Sequence, residues 1–534
     1  MNARWFSKRR NYDLPLIAPA AIEAYLSRDL ADFNFLKQAP KAELAVHARA
    51  LGFRYVTEPR ACQLVCNIIG AERPRFLFHL DMGAGKSKAT LDLIRFRKAR
   101  KELQRALIVV PEFVHISSWQ DQLKEHAPDL RCVVLLGSRE DRFELIDRKA
   151  DVYLINYAGL QVYMAEKKKA KRGKAKRGVA PDAAALFASL FNFVVFDEIH
   201  RIRSWDSLTF RLCCWLGAGA PFCYANTGTP FGRDPMMLWP QFKMVDDGET
   251  FGLLGLFRAV FFEAKKARFG GYDYKLLNGE EGRIDRQSDL NRVMKHRSIV
   301  YEEHELGIDL PPKTLLRVNV RMPPEQRMFY DRILDRMKEA RGDYASLDNV
   351  FTRMRQLGSG FLSLRADDES RIEVEIDPNP KLEALRQVVT DLPASEKFLV
   401  FHQFTYSGNR IRGLLDEMKV PWATLYGGVK DAAGEYQRFL TDKRCRAFVL
   451  QNQAGSEAIN PQGVCRYAWF YERPDDALIS QQAEKRVYRP GQERPVFVGD
   501  IVSVGNSAEE NLLVYLQQSR DVRAAVLRGE VKLS

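Results

Sequence analysis

Short apolar runs alternate with amphipathic stretches over two parts of the chain. In the first part the runs are Phe76–Leu80, Ala106–Val110, Cys132–Leu136, Val152–Ile155, Phe193–Phe196 and Phe222–Ala225. In the second part the runs are Phe398–Phe401, Trp422–Leu425, Ala447–Gln451 and Tyr467–Tyr471, with helical patterns over Leu382–Thr390 and Asn409–Met418. Strands that alternate with amphipathic helices form βαβ units. The pattern therefore predicts an α/β protein with two mostly parallel sheets.

The stretches outside these two parts set the predicted domain limits. Residues 1–50 are rich in alanine and helix-like, whereas residues 246–380 are charged, more helical and contain the connector-like turn Leu310–Lys313. We predict four segments: an N-terminal helical segment over 1–50, a first lobe over 51–245, helical insertions with the inter-lobe connector over 246–380, and a second lobe over 381–534.

The charge of the chain favours a polyanionic partner. Among 534 residues the formal net charge is +13, which favours nucleic acid over a membrane surface. No apolar run is long enough to cross a membrane, and the eight cysteines lack metal-ligand spacing. Cys62 and Cys66, four residues apart, fit core packing in a reducing compartment. We expect a cytoplasmic, DNA-associated protein, nuclear if eukaryotic, with no membrane partner.

A block of positive charge interrupts the first α/β part at Lys167–Arg177. Like charges in a block cannot pack against one another, so we predict an exposed loop. Two interpretations stay open for it: a solvated insertion without a role, or an arm that contacts phosphates.

Two acids follow the apolar run Phe193–Phe196 directly. Ligands of open α/β sheets bind at the carboxyl ends of the strands, where Asp197 and Glu198 are expected to lie. One carboxylate suits a Mg²⁺ ion and the other suits a water molecule. On this interpretation Asp197 holds the metal and Glu198 orients and deprotonates the attacking water.

A glycine-containing turn follows the predicted strand Phe76–Leu80 and precedes a helical stretch. The turn residues are Met82, Gly83, Ala84 and Gly85, followed by Lys86 and Ser87. Backbone N–H groups of such a turn close around phosphates, a lysine reaches the β- and γ-phosphates, and a serine hydroxyl ligates Mg²⁺. Leu80 occupies the place of the first glycine of the usual P-loop. With Asp197, Glu198 and the later Thr227–Pro230, the order of motifs predicts nucleotide hydrolysis.

From about Glu58 to Val502 the chain resembles the Swi/Snf-type ATPases of the superfamily-two helicases. The motifs that carry the resemblance are Pro59–Gln63, Ala106–Pro111 with Trp119, Ile155–Tyr157, Asp197–Arg203, Thr227–Pro230 with Leu238–Trp239, Leu310–Lys313, Phe401–Phe404 and Gln482–Gln492. The last of these is similar to the family's Q-A-x-x-R-x-x-R-x-G-Q box and is the most specific.

The resemblance implies roles for individual residues. Gln63 would recognise adenine, and a second group would couple hydrolysis to movement: His200, Thr227, Gly228, Thr229 and Gln482. Contacts to DNA are implied for Trp119, Asn156, Tyr157, Gln403 and Asn460. Arg486 and Arg489, predicted to lie three apart on one helix, would face the phosphates from the second lobe.

The fifth motif departs from the family pattern. It reads Gln453–Asn460, with Glu457 and Ala458 where smaller residues or glycine usually stand. An acid at that place repels phosphate, so DNA contact in the second lobe is expected to differ from the family pattern. His402 in place of serine and Ile199 in place of alanine are further departures.

The implied protein has two RecA-like lobes and uses ATP and Mg²⁺ to move along double-stranded or branched DNA. We expect a monomer, and a compact bacterial or viral type of motor. Two alternatives stay open: a fork-reversing or strand-separating helicase, and a DNA-binding scaffold that ATP locks onto DNA.

Overall fold

The structure, a computed structural model, describes residues 19–168, 176–232, 234–266, 272–277, 285–339, 350–365, 371–457, 459–505 and 507–528. The chain divides into two compact units, one formed by Met1–Gly307 with Asp521–Ser534 and the other by Ile308–Arg520. Residues 1–18, the centre of the basic block (169–175) and Ala458 of the fifth motif lie outside the described residues.

The first unit is built on a parallel sheet of seven strands. Its helices are α1 (Pro19–Leu26), α2 (Lys41–Leu51), α3 (Ala61–Glu72), α4 (Lys86–Ala99), α5 (Phe113–His126), α6 (Arg139–Asp147), α7 (Leu160–Met164), α8 (Pro181–Ser189), α9 (Leu208–Gly219), α10 (Leu238–Asp246), α11 (Leu254–Phe261) and α12 (Gln287–Lys295). Its strands are β1 (Arg75–Leu80), β2 (Ala106–Val110), β3 (Cys132–Val134), β4 (Val152–Asn156), β5 (Ala165–Lys168), β6 (Lys176–Val179), β7 (Phe193–Asp197), β8 (Phe222–Thr227), β9 (Phe262–Lys266), β10 (Tyr272–Leu276) and β11 (Ser298–Tyr301).

The strand order of this sheet is β11-β1-β8-β7-β2-β4-β3, and every neighbouring pair is parallel. Strands β2 and β7 are buried along their whole length, as expected for strands with helices on both faces. The six strands predicted for this part are all present. Because the strands are parallel, the loops after β1, β7 and β8 leave the same edge of the sheet.

The second unit is built on a parallel sheet of six strands. Its helices are α13 (Pro324–Glu339), α14 (Val350–Gly358), α15 (Pro380–Asp391), α16 (Thr405–Glu417), α17 (Ala432–Thr441), α18 (Asn452–Glu457), α19 (Ala477–Glu484) and α20 (Ala508–Arg528), of which α20 belongs to this unit only as far as Arg520. Its strands are β12 (Lys313–Arg321), β13 (Phe361–Arg365), β14 (Arg371–Glu375), β15 (Lys397–His402), β16 (Trp422–Leu425), β17 (Ala447–Gln451), β18 (Cys465–Phe470) and β19 (Val496–Val504). The strand order is β12-β19-β18-β15-β17-β16, parallel throughout.

The segment 246–380 is less helical than its composition predicts. Strand β11 joins the edge of the first sheet, and β12 joins the edge of the second. An edge strand pairs on one side only and tolerates charged side chains, as the mostly exposed β12 shows. The expected connector turn Leu310–Lys313 therefore runs directly into a strand.

Two expectations about the whole chain can be compared with the structure. All eight cysteines are free, and Cys62 and Cys66 are buried, which confirms core packing. Burial raises the pKa of both thiols, so they are held in the neutral form. Among the described residues, no helix has the length and apolar content needed to cross a lipid bilayer.

A leucine pair tests how far the first unit depends on its sheet. Leu107 of β2 is fully buried, whereas Leu186 of α8 is 68% exposed. We expect Leu107→Ala to lower the free energy of unfolding by about 2–5 kcal/mol, because it leaves a cavity. The matched control Leu186→Ala should change it by less than about 0.5 kcal/mol. Urea unfolding followed by circular dichroism measures both, and equal effects would contradict the placement of Leu107.

Candidate active site

The turn between β1 and α4 has the shape of a phosphate-binding loop. Gly83 and Gly85 have φ angles of 80° and 78°, a region that favours glycine, and Gly85 caps the first turn of α4. A Cβ atom on Gly85 would lie 2.1 Å from Nε2 of Gln63. Both glycines are thus required by the path of the backbone, which directs the N-terminus of a 14-residue helix at the space above the loop.

Gln63 supports this loop from below. Its Nε2 donates to the carbonyl oxygens of Ala84 and Gly85 at 3.1 and 3.2 Å, and its Oε1 accepts from the backbone N–H of Arg60 at 2.9 Å. The Arg60 guanidinium donates to the carbonyl oxygen of Gly83 at 2.6 Å. The residue expected to recognise adenine is therefore buried and bonded to the loop, and Arg60 is a supporting residue that the motif comparison did not single out.

Lys86 lies between the loop and the acids. Its Nζ donates to the carbonyl oxygen of Leu80 at 3.1 Å and lies 3.9 Å from Oε1 of Glu198. Glu198 itself has a φ angle of +46°, which is rare for a residue with a side chain. Such backbone strain persists where the surroundings hold it in place, and it is found most often at functional sites.

Trp119 and Tyr157 surround Asp197. The indole N–H of Trp119 donates to Oδ2 of Asp197 at 2.8 Å, and the Tyr157 hydroxyl donates to the backbone carbonyl oxygen of Asp197 at 2.9 Å. Both aromatic rings are buried. In this structure the polar atoms of both residues hold the acid, because the ends of β2, β4 and β7 meet here, and the DNA contacts expected for them stay a prediction.

The two neighbouring carboxyl groups have opposite electrostatic environments. Burial, and secondly the Glu198 carboxylate, raises the pKa of Asp197 above its usual range. Burial alone would also raise the pKa of Glu198, but Lys86 and then His200 outweigh it and hold that pKa below its usual range. Glu198 is therefore the ionised member of the pair at neutral pH, and Asp197 retains its charge best when a cation is close.

A chain of polar contacts connects Glu198 to the end of β8. Nδ1 of His200 lies 3.2 Å from Oε2 of Glu198 and 2.8 Å from Oγ1 of Thr227. The backbone N–H of Thr229 donates to the same Thr227 oxygen at 3.2 Å. A Cβ atom on Gly228 would lie 3.5 Å from Nζ of Lys86, so this segment also packs against the phosphate loop. The structure thus brings the expected coupling residues of the first unit to the acids.

In the second unit, Arg486 and Arg489 do not lie on a helix, which corrects the prediction. Helix α19 ends at Glu484, and Pro490 disfavours a helical conformation at the residue before it. Nη1 of Arg486 donates to the carbonyl oxygen of Ile459 at 3.1 Å, and the Arg489 guanidinium donates to Oδ1 of Asn460. The two arginines therefore contact the fifth motif within their own unit.

The other residues expected to contact DNA or to couple hydrolysis make local contacts. Oδ1 of Asn156 accepts from the Gly159 N–H at 3.0 Å, and Oε1 of Gln403 accepts from Asn452 at 2.9 Å. Gln482 is buried within α19. These contacts shape the ends of β4 and β15, where the strands leave their sheets.

The side chains around the loop fit a magnesium ion bound together with phosphates. Ser87, at the start of α4, offers a hydroxyl, and Asp197 offers a buried carboxylate, both hard oxygen donors. The described residues contain no group of three or more histidine, cysteine or acidic side chains that could hold a metal alone. Mg²⁺ needs no such group, because it commonly keeps several waters and takes its remaining ligands from phosphates.

Gly85→Ala tests the loop. The added methyl group would clash with Gln63 and strain a left-handed backbone, so the loop should lose its shape. We expect the affinity for a fluorescent adenine nucleotide to fall at least about tenfold, as for a loss of 1.4 kcal/mol. Gly413→Ala on α16 is the control, because a Cβ atom there meets no heavy atom within 4 Å. Unchanged affinity of the Gly85 variant in an equilibrium titration would contradict this.

Two curated proteins are similar to this chain over most of its length. A putative ATP-dependent helicase/translocase of Bacillus subtilis, YwqA, is 26% identical over 471 residues, which cover 84% of this chain and 46% of that protein. The transcription regulatory protein SNF2 of Saccharomyces cerevisiae is 22% identical over 476 residues, 84% of this chain and 26% of that protein. This chain therefore spans less than half the length of either relative.

Among solved structures, the Sulfolobus solfataricus SWI2/SNF2 ATPase core in complex with double-stranded DNA aligns with 90% of this chain and 98% of its own, at 20% identity and a TM-score of 0.38. A family model described as the SNF2-related domain matches residues 56–367, more than half of the 534 residues. The chain therefore belongs to the SNF2-related family.

Proposed function

We propose that this chain is an ATP-dependent motor that moves along double-stranded DNA. The observation that carries the proposal is the chain of contacts from Lys86 through Glu198 and His200 to Thr227, because it links a phosphate site to a segment outside it. The names of the relatives, which include ATP-dependent helicases and translocases, support the same activity.

Each residue has a chemical task in this proposal. The phosphate loop and Lys86 bind the phosphates of ATP, and Ser87 and Asp197 hold Mg²⁺. When bound, the ion neutralises charge that develops on the phosphates. Glu198, kept ionised by Lys86 and His200, accepts a proton from water as the water oxygen attacks the terminal phosphorus and the bond to the bridging oxygen breaks.

The second unit would complete the reaction. Phosphoryl transfer is accelerated by cations that face the transferring group, and Arg486 and Arg489 are the residues we assign to this task. If they engage only when the two units close on ATP, hydrolysis is linked to a relative movement of the units. That link distinguishes a motor from a simple ATPase.

The positive charge of the chain supports double-stranded DNA as the partner along which the motor moves. The net charge of +13 favours a polyanion, and a relative from Arabidopsis thaliana is named a probable ATP-dependent DNA helicase. In the hairpin of β5 and β6, Lys167 lies opposite Arg177. Like charges directly opposite each other destabilise an antiparallel pair, and an anionic partner would relieve their repulsion.

ATP hydrolysis measured with duplex, single-stranded, forked and four-way DNA tests the proposal. We expect the wild type to be stimulated by duplex DNA, and Glu198→Gln to lower kcat by about 10² or more while ATP still binds, because the group that accepts the proton is lost. A wild type that DNA does not stimulate would overturn the motor and favour the ATP-locked scaffold.

A second comparison distinguishes movement along DNA from the separation of its strands. Displacement of a third strand from plain duplex without unwinding of a fork supports the translocase. Unwinding of the fork instead supports the alternative, a strand-separating or fork-reversing helicase.

The double substitution Lys167→Ala and Arg177→Ala tests the hairpin. If both side chains bind phosphates, DNA affinity should fall and the slope of log K against log salt should become shallower by about 0.9 for each phosphate that is no longer neutralised. Lys443→Ala with Arg444→Ala is the control, because it removes the same charge from exposed residues that precede β17, away from the carboxyl edge of its sheet. Equal slopes for the wild type and the hairpin variant would identify the hairpin as a solvated insertion.

A further inference from the structure

Four charged side chains lie together where α19 ends in the second unit. Arg473 donates from Nη1 to Oε1 of Glu484 at 2.5 Å, and from Nε and Nη2 to the two carboxylate oxygens of Asp500 at 2.5 and 3.0 Å. Arg520 of α20 donates to the same Glu484 oxygen at 2.6 Å. We call Arg473, Glu484, Asp500 and Arg520 the Glu484 cluster.

A gain in stability does not explain the Glu484 cluster. The side chains of Arg473 and Glu484 are only 8% and 7% exposed, and apolar residues in place of a buried ion pair are often as stable or more so. Glu484 is also the last residue of α19, where the helix dipole disfavours a carboxylate. Burial by itself would raise the pKa of Glu484, but Arg473 and then Arg520 lower it to about 2, so the carboxylate stays charged.

The segment that starts at Glu484 carries the two arginines assigned to the reaction. The N–H of Arg486 donates to the carbonyl oxygen of Ala483 at 3.2 Å, which ties the segment to the end of α19. At the far end, Nε2 of Gln492 donates to the carbonyl oxygens of Cys465 and Val487 at 2.9 and 3.2 Å. The segment therefore has two anchors, and the Glu484 cluster is the one on the α19 side.

We propose that Glu484 is a positioning residue for Arg486 and Arg489, and that Arg520 makes α20 part of this support. The inference rests on the proposed function, since it assumes that the two arginines act in hydrolysis. Nothing in the cluster belongs to the phosphate loop or to the acid pair of the first unit. Loss of Arg520 should therefore slow turnover without weakening the binding of ATP.

Arg520→Gln is the variant that tests this, because Arg520 is 31% exposed and its replacement leaves Arg473 with both of its acids. We expect kcat for DNA-stimulated ATP hydrolysis to fall by about tenfold to 10²-fold, the range reached when catalytic groups are misplaced by about an ångström. KM for ATP and the affinity for duplex DNA should stay within about twofold of the wild-type values. The melting temperature should stay within about 2 °C, roughly the scatter of surface substitutions. Arg520→Lys restores the charge and should recover most of kcat.

A matched control removes a different cation that is paired with α20. Arg317 of β12 forms an ion pair of 3.6 Å with Glu510 near the start of α20. Arg317→Ala thus removes an ion-pair partner of α20 without touching α19, and kcat should not change. Limited trypsin digestion gives a readout independent of ATP: cleavage after Lys485 or Arg486 should be faster in Arg520→Gln than in Arg317→Ala, whereas Pro490 protects the bond after Arg489.

The outcomes separate this inference from the proposed function. An active wild type whose kcat and cleavage pattern are unchanged by Arg520→Gln would overturn the inference alone. A fall in kcat that Arg317→Ala matches would also overturn it, because α20 would then act only through stability. A wild type without DNA-stimulated ATPase activity would overturn both.

Discussion

Two carboxyl groups on adjacent residues in a buried site repel each other, and the first unit is organised around keeping them together. Asp197 depends on Trp119 and Tyr157, which arrive from α5 and from the end of β4. Glu198 depends on Lys86 and His200, which arrive from α4 and from the turn after β7. A parallel sheet brings these four side chains to one edge. The order of the strands therefore determines the environment of both acids.

The second unit meets a related demand in a different way. Its arginines lie in a non-helical segment, and a guanidinium can be aimed from such a segment only if both ends are fixed. The contacts to Ile459 and Asn460 add a lateral restraint from the fifth motif. That motif departs most from the family pattern, at Glu457 and Ala458. The residues that contact the arginines, Ile459 and Asn460, follow these two directly in the sequence.

Most central strands could be predicted from the sequence because burial on both faces leaves a continuous apolar run, as in β2 and β7. The inner strand β19 is not among the predicted strands, because Gly499 and Asp500 interrupt its apolar run. The edge strand β12 could not be predicted either, since it is mostly exposed and carries charged side chains. Strand β11 is mostly buried, but its four residues are too short a run to stand out in a charged segment. Among the site residues, the loop, Lys86 and the acids follow from local motifs. The burial of Trp119 and the support by Arg60 depend on which strands become neighbours, and local sequence carries no such information.

The carboxamide of Gln63 makes three hydrogen bonds: two are donated to the loop and one is accepted from Arg60. A nucleobase that takes a hydrogen bond from Gln63 must therefore share or replace one that holds the phosphate loop. With Gln63 in the proposed role of adenine reader, recognition of the base would therefore be linked to the shape of the phosphate loop. A purine that does not satisfy the carboxamide would then disturb the loop proposed to bind its own phosphates, and discrimination between nucleotides would extend from the base to the reacting end of the molecule.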